Sequence, residues 1–118
     1  MKGGTAGDRG ADRVAKIERA VEEAIRTLPE PLRSAAEELV IVVDGTRTTG
    51  LYGLFEGTPR GATDAEALPP RITIYARVLA KDFPTRDALK IEVRKTLVHE
   101  IGHYLGLEES DLIARGLE

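Results

Sequence analysis

LVHEIGHYLGLEESDL, residues 97–112, holds both histidines of the chain. His99 and His103 stand four positions apart, with Glu100 directly after the first. On an α-helix, residues i and i+4 share a face with their Cβ atoms about 6 Å apart. Two imidazoles at that spacing can meet on one metal ion at about 2.0–2.1 Å each. Glu100 is rotated about 100° from His99. It stands beside such an ion and can take a proton from a bound water. H-E-x-x-H thus draws two ligands and one general base from a single helical turn.

A catalytic zinc usually takes a third protein ligand and leaves a fourth position to water. There is no third histidine and no cysteine, so the third ligand is an acid. Gly106 supplies the means: a glycine adopts φ > 0, ends the helix and turns the chain back. The acids that follow are Glu108, Glu109 and Asp111. In the compact pattern H-E-x-x-H-x-x-G-x-x-(ligand), the third group stands ten residues after the first histidine, at Glu109. Asp111, Glu108 and an upstream acid are the alternatives; Glu108 and Asp111 suit the cap of a last helix equally well. H-E-x-x-H alone has many chance matches, and a histidine pair on an amphipathic helix can be ordinary packing. The glycine where the turn is needed, the acids in register and the flanking Val98 and Ile101 favour a metal site.

The rest of the chain supplies a frame. Apolar residues at Val14, Ile17, Val21, Ile25 and Leu28 make one helical stripe over about 12–28. Pro29 and Pro31 stop it, and a short helix follows with Leu32, Ala35 and Ala36 turned inward. LVIVV, residues 39–43, is continuous and β-branched, a strand expected to be buried on both faces. TGLYGLFEG, 49–57, is expected to be a strand bent at Gly53. Residues 58–70 are an exposed loop, and RITIYARVL, 71–79, alternates as a strand does. Thr85 caps a long helix over about 86–105 whose core face is Val93, Leu97, Ile101, Tyr104 and Leu105. Glu92, Thr96, His99 and His103 fall on another stripe. A short helix at about 110–114 closes the chain. Residues 1–10 are polar and Gly-rich, a tail expected to be disordered; 11–118 form a single domain.

Composition narrows the function. At 118 residues the chain has room for one modest core. A net charge of −3 and no cluster of basic and aromatic residues argue against nucleic-acid binding. The absence of cysteine excludes disulfides, thiolate ligands and a cysteine nucleophile. No apolar stretch suggests a secretory signal or a membrane span, so a cytoplasmic protein is expected. Charged residues make up 31% and Asn and Gln are missing, which suits a thermostable protein and equally a GC-rich coding bias.

Three blocks resemble a known family, the small zincin-like proteins, a group of minimal zinc metallopeptidases. LYGLFEGTP (51–59), LPPRITIYARVL (68–79) and KTLVHEIGHYLGLEESDL (95–112) match its strand-and-turn, second strand and H-E-x-x-H-x-x-G helix, in order. The resemblance covers roughly residues 14–116. It implies an α+β domain of minimal zincin-like fold, with an N-terminal helix and the active-site helix packed on a small, about three-stranded mixed sheet. It implies one Zn2+ on His99 and His103, Glu100 as the base, and Glu109 at an acidic position of the motif. Two departures from larger relatives stand out. No methionine follows the motif, and only nine residues follow Glu109 to build the lower half of a substrate pocket.

The expected activity is hydrolysis of peptide bonds by a monomer or weak oligomer. An extended peptide or protein substrate would lie along an exposed edge strand, at Leu51, Tyr52, Gly53 and Leu54. Tyr75 and Tyr104 are candidate oxyanion donors or plain packing residues. The rival expectations are a non-catalytic metal-binding or protein-interaction module on the same frame, and a structural zinc that staples the domain.

Overall fold

In the computed structural model, which describes residues 6–61 and 69–117, the apolar stripe from Val14 to Ile25 lies on a long helix, α1 (Ala6–Thr27), and Leu28 follows its last residue. It begins ahead of the expected residue 12. Of the tail expected over 1–10, residues 6–10 are helical and 1–5 lie outside the described residues; 62–68 of the expected loop lie outside them too. After Pro29 and Pro31 comes α2 (Leu32–Ala36), with Leu32, Ala35 and Ala36 buried. Then follow β1 (Val40–Asp44), β2 (Gly53–Glu56), β3 (Arg71–Tyr75), α3 (Ala76–Asp82), α4 (Arg86–Tyr104) and α5 (Glu109–Ala114).

The three strands form one mixed sheet in the order β1-β3-β2. β1 runs parallel to β3, with Val40 opposite Arg71 and Asp44 opposite Tyr75. β2 is antiparallel to β3, with Gly53 opposite Ile74 and Glu56 opposite Arg71. Two expectations are corrected. The continuous apolar run of β1 is not buried on both faces; it is an edge strand, and Val40 is 51% exposed. The central place belongs to β3, where Ile72, Thr73, Ile74 and Tyr75 are all buried. Nor does the third strand run to residue 79. It ends at Tyr75, and ARVLAKD turns into α3, burying Ala76 and Leu79 three positions apart. That spacing and the helix-forming Ala, Arg, Leu and Lys were the signal against a strand.

Thr85 caps α4 as expected, its Oγ1 accepting the Ala88 N–H at 3.3 Å. The helix is contacted by α1, α2, α3, α5, β2 and β3. Its buried residues therefore go beyond one stripe: Val93, Thr96, Leu97, Val98, Ile101, Gly102 and Tyr104. One cluster of buried apolar residues joins Ile17 of α1, Leu32 of α2, Ile72 and Ile74 of β3, Leu79 of α3, Leu97 and Ile101 of α4 and Leu112 of α5. Each such side chain contributes about 1.5–3 kcal/mol when fully withdrawn from water. Their sum is what holds the last turns of α4 in place.

Candidate metal centre

The last two turns of α4 carry His99, Glu100 and His103. The helix then stops as the sequence suggests. Gly106 takes φ +74°, its N–H donates to the His103 carbonyl at 3.1 Å, and the Leu107 N–H donates to the Gly102 carbonyl at 2.8 Å. This pair of bonds is the Schellman motif, and it reverses the chain within two residues. α5 then begins at Glu109, close to the face it has just left.

The reversal separates the three candidate acids. The Glu108 N–H donates to Asp111 Oδ2 at 2.9 Å, so these two residues are engaged in the cap of α5. Glu109 Oε1 lies 3.8 Å from His99 Nε2, and the Glu109 side chain is 59% exposed. Two ligands at about 2.1 Å on a tetrahedral ion sit roughly 3.4 Å apart. The His99–Glu109 pair is close to that span.

His103 is arranged differently. Its Nδ1 lies 3.2 Å from Glu100 Oε1, and its ring is 57% exposed. No group of three or more His, Cys, Asp or Glu side chains among the described residues is arranged to hold an ion. The donors nevertheless suit zinc in kind: two imidazoles and a carboxylate are nitrogen and oxygen ligands, three in number, with a position to spare. His103 is exposed enough to turn.

Glu100 is the least exposed of the four, at 13%. Its Oε1 accepts the Phe55 N–H of β2 at 2.9 Å. That contact joins residues 45 positions apart, and the spacing of the motif gave no hint of it. β2 approaches α4 closely at Gly53, where an added Cβ would lie 2.6 Å from Thr96 Cγ2 and 3.3 Å from Glu100 Cγ. Thr96, placed by periodicity on the histidine stripe, is buried.

The residues expected to bind substrate divide. Gly53 and Leu54 lie in β2, which is shorter than the expected 49–57; Leu51 is exposed before it. The Tyr52 hydroxyl donates to Asp82 at 2.7 Å and its ring meets Phe83 edge-on at 5.3 Å, so this side chain is committed to α3 and its C-terminal cap. Of the two tyrosines expected near the site, Tyr75 is buried in β3. Tyr104 packs against Phe55 and its hydroxyl donates to Glu38 Oε1 at 2.6 Å. Arg60 completes this cluster by an ion pair to Glu38 and by its N–H to the Tyr104 carbonyl at 2.8 Å. The Arg60 guanidinium first, and the Tyr104 hydroxyl second, hold the Glu38 carboxyl below its usual range, while Glu38 raises the Tyr104 phenol.

A cavity of about 390 Å³ lies elsewhere, between α1 and the first turns of α4, and is lined by Lys16, Arg19, Glu23 and Arg86 but by none of the motif residues. No helix among the described residues is long and apolar enough to cross a membrane. No curated protein matches the chain. The sequence profile of the family described as zincin-like metallopeptidase matches residues 20–117, which takes in α1 from Ala20, the whole sheet, the motif helix and α5; the chain belongs to that family.

Proposed function

We propose that the chain is a zinc-dependent peptidase whose one ion is held by His99, His103 and Glu109. One observation carries the reading: a single helical end bears both histidines and Glu100, and the turn at Gly106 returns Glu109 to within 3.8 Å of His99. Zinc bound there would polarise the scissile carbonyl and acidify a water molecule. Glu100 accepts the proton of the attacking water and passes it to the leaving amine. Its low exposure keeps that transfer away from bulk solvent. The outer side of β2 offers backbone groups to an extended peptide, which adds as a fourth strand.

A second reading is favoured by His103, whose Nδ1 lies 3.2 Å from Glu100 Oε1, so that the second histidine is engaged with the acid read as the base. In it the frame is a non-catalytic metal-binding or protein-interaction module. Metal analysis after purification in zinc, followed by cleavage of fluorescein-labelled casein with and without chelator, separates the two. Glu100→Ala is expected to bind zinc as the wild type does and to cut no casein. Cleavage that persists in this variant rejects Glu100 as the base, and a zinc-loaded wild type that cuts neither casein nor a peptide library supports the module.

A further inference from the structure

We infer that Gly53 and the Phe55 backbone form a seat on β2 that positions the carboxylate of Glu100. The inference rests on the reading of Glu100 as the base. Phe55 and Gly53 lie at non-hydrogen-bonded positions of the β2–β3 ladder: the Tyr75 N–H donates to the Tyr52 carbonyl, and Gly53 and Phe55 stand opposite Ile74 and Ile72. Their N–H and C=O groups therefore face away from β3. On an edge strand such an N–H ordinarily goes to water or to an added strand. Here it donates to Glu100 Oε1 at 2.9 Å, a charge-assisted bond.

The second contact is steric. No side chain fits at Gly53 with the helix where it is, since a Cβ would stand 2.6 Å from Thr96 Cγ2. Thr96 has little freedom to yield: it is buried, and its hydroxyl donates to the Glu92 carbonyl at 2.8 Å. The requirement is one of space, because the φ of Gly53 is not positive. Glycine lets the strand come near enough for Phe55 to reach the carboxylate. His103 Nδ1 falls on the same oxygen, at 3.2 Å, and Oε2 has no hydrogen-bond partner among the described residues. The seat thus holds one oxygen and leaves the other to carry the proton. It also means that a peptide adding to β2 finds the Phe55 N–H already taken.

The test starts with metal-free protein and amide exchange followed by NMR. The Phe55 N–H exchanges slowly in the wild type, and at least about tenfold faster in Glu100→Ala and in Gly53→Ala. Gly53→Ala with Thr96→Ser, which deletes the obstructing methyl, returns toward the wild-type rate. With zinc and fluorescein-labelled casein, Gly53→Ala lowers kcat about 100-fold with KM within about twofold, and the Thr96→Ser change restores much of the loss. A Phe55 amide that exchanges equally fast in wild type and Glu100→Ala overturns the seat, as does a Gly53→Ala variant with unaltered exchange. A wild type that leaves casein intact overturns the peptidase reading alone; the exchange rates still decide the seat.

Discussion

Gly106 has no heavy atom within 4 Å of where a Cβ would stand, yet its φ of +74° is one that L side chains rarely adopt. Gly106→Ala is therefore expected to destabilise by about 1–2 kcal/mol through backbone strain alone, measured by urea unfolding. The acids after it are expected to separate by function. Glu109→Ala is expected to lower zinc affinity by roughly tenfold or more, measured by competition with a chelating dye. Asp111→Ala removes the acceptor for the Glu108 N–H and should cost about 1 kcal/mol of stability with zinc affinity unchanged. Equal zinc loss in both variants would defeat the assignment of Glu109. At this scale the motif was legible because its members are neighbours in sequence and one helical turn relates them. The contact of Phe55 and Gly53 with Glu100 and Thr96 was not, because nothing local says which strand lies against which turn of α4. A short distance between Gly and a β-branched residue is a property of packing.

Among the elements, α4 was legible almost to the residue, from the Thr85 cap to the Gly106 stop. β1 and α3 were not. A run of β-branched residues specifies a strand and leaves its place in the sheet open. A strand that passes directly into a helix leaves no turn residue between them, and Tyr75 to Ala76 has none. The cluster of Glu38, Arg60 and Tyr104 ties the link between α2 and β1, the segment after β2 and the end of α4 together. Its pH dependence follows from the shifts. Glu38 titrates lower when folded, so its contribution is present above the usual glutamate range and is lost as pH falls through the depressed value. Tyr104 titrates higher when folded, so its contribution is lost as pH rises through the raised value. Glu38→Gln is expected to flatten both limbs in a series of urea midpoints against pH. If the wild type and variant profiles run parallel, the cluster has no part in holding α4.

For the whole molecule, the buried cluster is assembled from side chains of every helix and the sheet, and no part of it needs an ion. Chelation is thus expected to leave a cooperatively folded protein. It should remove only the linkage contribution of bound zinc, about 2.7 kcal/mol at a hundredfold excess over Kd. A chelated protein that loses its far-UV circular dichroism would mark the ion as structural. The composition suits heat, yet pairs such as Arg33–Glu30 and Lys90–Glu23 are exposed, and exposed pairs add little at 25 °C, so a melting curve is the test. The strand order β1-β3-β2 has a further result during synthesis. Both outer strands leave the ribosome before the middle one, so neither has a hydrogen-bonding neighbour until Arg71–Tyr75 has emerged. Nascent chains arrested ahead of that point carry Val40–Val43 and Leu54–Phe55 as unpaired, sticky segments, and these lengths are where chaperone crosslinking should peak.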